Sequence, residues 1–301
     1  MNLSFGIIIF FIAYGNMEYT KVHIEDFFEL IGMMTYKSAC GNITQCFITA
    51  INNRGLFVSA ASCVYDQWGN YLHSPDSFFV KTEIDNEAEK EPLPYTYYRI
   101  AILAVYPHPN YSYLSEHDNV AAIISNYSQG DFEHNYRCIP GIPKEDFTPK
   151  DPFIFTMDVN TEDSPLLSKA FVLDKSQCCY PSGPTDLRPE DKPLCITVPD
   201  IESKLYRDRR YAGVPLLSQR PYSNISYYIY GLLSFHHACG KRTFLFTKLK
   251  LYEDFLNNPR EYIKRWKRRA SEATWRNAFV LKEFFILGAH IINRILLSKR
   301  F

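Results

Sequence analysis

Val58-Ser59-Ala60-Ala61-Ser62-Cys63-Val64 decides how the rest of this chain is read. An apolar entry gives way to small residues, then to a polar residue and a cysteine. Upstream lies Cys46-Phe47-Ile48-Thr49-Ala50-Ile51, and similar runs of Val, Ile, Phe and Tyr recur through residues 45 to 250, among them Tyr97 to Leu103 and Tyr227 to Leu233. Clusters of Gly, Pro, Asn and Asp separate them. Many short apolar runs with turn signals between them predict an all-β barrel or sandwich. Aromatic residues make up 16% of the chain, with 22 Tyr and 22 Phe, and such side chains suit a pleated, half-buried surface. At 301 residues the chain can bury the core of one large all-β domain with length to spare.

Further landmarks follow in order. Tyr106-Pro107-His108-Pro109-Asn110-Tyr111 is a proline-bracketed turn, followed by Asp118-Asn119-Val120-Ala121-Ala122-Ile123. Tyr136-Arg137-Cys138-Ile139-Pro140, Leu194-Cys195-Ile196 and Ala212-Gly213-Val214-Pro215-Leu216-Leu217 come next. Tyr230-Gly231-Leu232-Leu233-Ser234-Phe235, then Cys239-Gly240, and Phe246-Thr247-Lys248-Leu249 complete the series. In this order they resemble the trypsin-like (chymotrypsin-family) serine proteases, whose histidine turn reads Leu/Val-Thr/Ser-Ala-Ala-His-Cys. The resemblance covers residues 22–257. It implies two six-stranded Greek-key barrels with a cleft between them, a C-terminal helix starting near Leu251 to Leu256, and a bridge from Cys46 to Cys63. It also implies a bridge from Cys195 to Cys179 or its neighbour Cys178.

The same resemblance puts the catalytic triad on Ser62, Asn119 and Ala212. A serine hydroxyl does not accept a proton near neutral pH, so the general base is missing at Ser62. Asp118 precedes the aspartate's place by one residue, and neighbours in an extended strand point to opposite faces. Ala212 has no nucleophilic atom, which excludes covalent acyl transfer at that position. The oxyanion-hole glycine falls on Arg210, whose side chain crowds the place where charge would develop. The aspartate that receives the new N-terminus after zymogen cleavage falls on Tyr211, and the matching stretch Lys21-Val22-His23-Ile24 lacks both glycines of its motif. Bulky residues also fall on the specificity pocket, with Tyr206 at its base and His236 and Phe244 in place of its glycines. The expectation is a protein that is not an enzyme.

A repurposed hydrolase is the alternative, and it would need a nucleophile away from Ala212 with His117 or His236 as base. These histidines, and His237, read more simply as ordinary loop or strand residues. No HxxxH, CxxC or paired-carboxylate spacing offers a metal site or an acid–base pair, and no glycine-rich loop offers a phosphate site. No cofactor is expected.

The apolar run Phe5 to Ala13 is too short to span a bilayer and leads into Ala13-Tyr14-Gly15, the pattern of a signal peptide over residues 1–15; a buried strand is the other reading. Asn42, Asn110, Asn126 and Asn224 each head a glycan acceptor tripeptide. With eight cysteines, these features point to a secreted, extracellular protein. Cys40, Cys138, Cys239 and one of Cys178 and Cys179 are left without an assigned partner.

Beyond the family's length lies a helical tail, residues 258–301. Arg260 to Arg269 is strongly basic around Trp266, and Ala278 to Leu297 is mostly apolar but carries Lys282, Glu283, His290 and Arg294. So many charges argue against a transmembrane span. The tail then either lies on a membrane surface, packs on the barrels or on a partner, or uses its basic run on an acidic glycan. With zero formal net charge, no general attraction to nucleic acid follows. The function expected is binding or regulation through a protein or peptide partner, such as a component of an active protease cascade. A membrane-associated display scaffold is the remaining alternative.

Overall fold

The computed structural model describes residues 31–37, 43–52, 55–65, 78–84, 96–112, 117–126, 139–145, 148–156, 166–174, 193–199, 211–220, 227–234 and 243–271. Within them the β-branched and aromatic runs form strands of two antiparallel sheets. The first contains β1 (Ile31–Lys37), β2 (Ile43–Ala50), β3 (Leu56–Ser59), β4 (Phe78–Ile84), β5 (Thr96–Pro107) and β6 (Ala121–Ser125). They close into a barrel in the order β1-β2-β3-β6-β5-β4, because β1 pairs with β2 along one edge and with β4 along the other. Closure leaves no free edge to recruit another strand. Gly55, at φ 73°, turns the chain between β2 and β3, where the Ile51 N–H donates to the Leu56 carbonyl at 3.0 Å. In β5 a register shift between Ile102 and Ala104 turns Leu103 outward, 59% exposed, while Ile102 stays buried.

The second sheet contains β7 (Phe153–Thr156), β8 (Leu166–Lys169), β9 (Phe171–Val172), β10 (Leu194–Thr197), β11 (Pro215–Gln219), β12 (Tyr227–Leu233) and β13 (Thr243–Lys248). Its order is β8-β7-β11-β12-β13-β10-β9. The expectation was six strands, and seven are present, for a local reason. Ala170 alone separates β8 from β9, and its N–H leaves the strand ladder to donate to the Pro152 carbonyl at 2.9 Å. Before this residue the chain pairs with β7; after it the chain pairs with β10. The two outermost strands are therefore one bent segment, and the sheet curls round to meet itself. With that segment counted once, the order of the second sheet is first-second-third-sixth-fifth-fourth, the same as in the first.

Phe47, Ile48, Phe57, Val58 and Ile123 of the first sheet, and Ile154, Phe155, Ile196, Tyr227 and Phe246 of the second, are nearly inaccessible to water, so both faces of these strands are covered. These side chains belong to one continuous apolar cluster. The segment 139–145 runs along the second sheet, where the Gly141 N–H donates to the Tyr227 carbonyl at 3.1 Å and the Gly141 carbonyl accepts from the Ile229 N–H at 3.0 Å.

After β13 a 3-10 turn (Leu249–Tyr252) leads into α1 (Glu253–Asn257), and a second helix, α2, covers 259–271. The break falls at Asn258, whose Oδ1 accepts from the Glu261 N–H at 3.2 Å. Asn258-Pro259-Arg260-Glu261 provides a capping side chain, a proline whose missing N–H needs no partner in the first turn, and an acid three residues after the cap. The helix restarts there because its first turn is satisfied locally.

Candidate functional site

The two sheets meet where β2, the turn after β3, the segment before β6 and the segment before β11 converge. A 3-10 turn (Ala61–Val64) follows β3 and carries Ser62 into the junction. The Ser62 N–H donates to Asn119 Oδ1 at 2.8 Å, across 57 residues of sequence. Asp118 takes the left-handed φ of 57°, and the Val120 N–H closes a tight turn on the Asp118 carbonyl at 2.7 Å. That turn sends the two adjacent side chains apart. Asn119 goes to Ser62, and Asp118 goes to His108, with Oδ1 3.7 Å from Nδ1.

Ala212 enters from the second sheet. Its carbonyl accepts from the Phe47 N–H at 2.9 Å and lies 3.8 Å from the Cys63 sulfur, so Ala212 is bonded to β2 and packs against the Ser62 turn. Tyr211 stacks on Phe47 with ring centroids 6.1 Å apart. Gly213 has a φ of 84°, and a Cβ there would stand 2.3 Å from the Phe47 carbonyl oxygen and 2.8 Å from Ser59 Oγ. Ser59 Oγ already donates to that same carbonyl at 2.7 Å. Glycine is required by both the backbone angle and the missing space.

Ser62, Asn119 and Ala212 are each 1% exposed or less, so their side chains face packed protein rather than solvent. The structure thus brings the Ser62 and Asn119 positions into direct contact and joins Ala212 to the residue beside Ser62. At this junction Ala212 offers only a methyl group, Asn119 is an amide and Ser62 is an alcohol. Such a set has no atom of suitable pKa to start proton transfer or nucleophilic attack. Among the described residues no cluster of His, Cys, Asp and Glu could hold a metal ion.

Of the remaining expected positions, Phe244 lies on β13 opposite Ile196, buried at 4% exposure. Tyr206, Arg210, His236 and His237 lie outside the described residues, as do Lys21 to Ile24. Cys46 and Cys63 form a disulfide that ties β2 to the Ser62 turn. Cys195 is also disulfide-bonded, with its other half outside the described residues. Cys40, Cys138, Cys178, Cys179 and Cys239 fall outside them too. Asn110 and Asn126 are exposed, whereas Asn42, Asn224 and residues 1–15 lie outside the described residues.

A second polar centre was not anticipated from the sequence. His108 is buried beneath α1 and α2, between the rings of Tyr252, Phe255 and Tyr262. Its Nε2 lies 3.3 Å from Tyr262 Oη, and its Nδ1 is too far from Asp118 for a hydrogen bond. Burial pushes the His108 pKa below the ordinary histidine value, and Asp118 opposes the shift without reversing it. One turn later along α2, Trp266 Nε1 donates to Asn110 Oδ1 at 2.8 Å. The tail helix is thereby fastened to the proline-bracketed turn of the first barrel. The signal for this lay in Asn258-Pro259-Arg260-Glu261 and in the spacing of Pro259, Tyr262, Ile263, Trp266 and Ala270, which line one side of a helix.

A scan against protein-family models found no match for this sequence, and a search of the curated proteins found none either.

Proposed function

We propose that this chain is a secreted, non-catalytic homologue of the trypsin-like serine proteases that acts by binding a protein or peptide. The observation that carries the reading is the repeated strand order. Two antiparallel sheets with the same first-second-third-sixth-fifth-fourth sequence of strands are compatible with the double Greek-key arrangement that the resemblance implies, and this supports the reading. The resemblance puts the triad at the junction of these two sheets, where Ser62, Asn119 and Ala212 converge.

An alanine at the nucleophile's position and an amide at the aspartate's position remove the two groups that acyl transfer needs most. Arg210 and Tyr211 at the oxyanion and activation positions, and Tyr206, His236 and Phe244 around the specificity pocket, fit a cleft released from catalysis. Residues 22–257 form the homology domain in this reading, and residues 258–301 are an added tail. A partner that grips the barrels' loops without being cut, such as a component of an active protease cascade, accords with such a scaffold.

Two preparations test the proposal: the secreted wild type and Ala212→Ser, each with and without trypsin treatment. A fluorophosphonate probe is expected to label neither, since a serine at 212 still has no base beside it. A mixed peptide library passed over the wild type is expected to yield bound peptides of unchanged mass. Heat-sensitive labelling of the wild type, or reproducible cleavage, would overturn the reading by revealing a nucleophile elsewhere.

A further inference from the structure

We infer that the outer face of α2 is a docking ridge for a sulfated polysaccharide. Between residues 259 and 271 the helix carries six exposed cations, Arg260, Lys264, Arg265, Lys267, Arg268 and Arg269, against one carboxylate, Glu261. Arg260, Lys264 and Arg268 recur every four residues and so form a row about 12 Å long at the rise of an α-helix. Glu261 bonds Lys264 Nζ at 2.6 Å, and this pairing holds the glutamate below the usual carboxylate range. Glu261 also feels Arg260 beside it and Arg265 one turn on, so a single carboxylate stands against six cations.

What distinguishes this face from a membrane-binding helix is the fate of its apolar side. Pro259 is buried, Tyr262 and Ile263 pack on the core, and the Trp266 indole is held by Asn110. An interfacial helix needs that side free to enter the acyl boundary. Here the barrel covers Pro259, Tyr262 and Ile263, and Trp266, 36% exposed, is the one large apolar side chain left partly open among the outward cations. The tether at Trp266 and the cap at Asn258 fix the ridge on a rigid support, which lowers the ordering cost of binding an extended polyanion. The Cys46–Cys63 disulfide belongs to oxidising compartments, where sulfated polysaccharides are the polyanions at hand. The ridge lies apart from the Ser62–Asn119–Ala212 junction, so this inference does not depend on how that junction is read.

The test is heparin binding by the full chain across a series of salt concentrations. Lys264→Gln with Arg268→Gln, both exposed, is expected to weaken the heparin Kd about tenfold and to flatten its salt dependence. Lys169→Gln, a cation of the second sheet, is expected to leave both unchanged, and matched melting curves check that the variants are folded. Absence of heparin binding by the wild type at low salt would overturn the inference, as would equal loss in the Lys169 control. Equal or tighter binding to duplex DNA, or to phosphatidylserine vesicles, would overturn it in favour of a nucleic-acid or membrane surface.

Discussion

The backbone N–H of Ser62 donates to the Asn119 side-chain carbonyl at 2.8 Å, a bond that spans the first barrel's interior wall and is closed to water. A buried amide stranded without a partner costs about 1–3 kcal/mol. Asn119→Ala should therefore lower the stability of the folded chain by at least that range, with the vacated volume adding to it. Chemical denaturation of the wild type and variant measures the difference. A loss below about 0.5 kcal/mol would mean that the bond is not part of the folded state.

Gly213 occupies a backbone angle that favours glycine and leaves no room for a methyl group beside the Phe47 carbonyl. Gly213→Ala should destabilise by roughly 3–5 kcal/mol or prevent folding, since the nearest obstacle is backbone rather than a flexible side chain. Ala212→Gly, one residue earlier, removes only a buried methyl and serves as the milder comparison. Secretion yield and thermal melting distinguish the two.

His108 is kept neutral by burial, with Asp118, Tyr252 and Tyr262 as its polar neighbours. Its folded pKa is lowered, so the unfolded chain takes up the proton first as the pH falls. This histidine's contribution to stability is complete above the ordinary value of 6.5 and is lost as the pH falls below it through the lowered folded value. The melting temperature of the wild type should fall over that interval more steeply than that of His108→Gln. Parallel profiles for the two proteins would remove His108 as the source.

Asn258 starts α2 by accepting the Glu261 N–H. Asn258→Ala should cost about 1 kcal/mol, while Asn258→Asp or Asn258→Ser should retain most of the stability. Hydrogen exchange of the 259–271 amides gives a local readout. Unchanged protection in the alanine variant would show that packing of Tyr262 and Trp266 alone sustains the helix.

Much of this architecture was legible in the chain itself. Apolar and aromatic runs separated by turn residues marked out the strands, since side-chain period and turn chemistry are local properties. The small residues from Ser59 to Cys63 and the glycine after Ala212 carried the resemblance that assigns Ser62 and Ala212 to one site. The Asn258 cap is equally local, for Asn258-Pro259-Arg260-Glu261 satisfies the first helical turn by itself.

Amino-acid identity by itself determined that no nucleophilic atom exists at position 212, for a methyl group has none in any fold. It also determined the alternation and turn chemistry that yield two β-sheets. Only the tertiary structure decided that Ala170 would divide one strand between both edges of the second sheet, that Asn119 and not Asp118 would face Ser62, and that α2 would return to cover His108. Each of these depends on contacts between segments far apart in sequence. Their geometry follows from packing the whole core, whereas a local pattern specifies only the period and the turns.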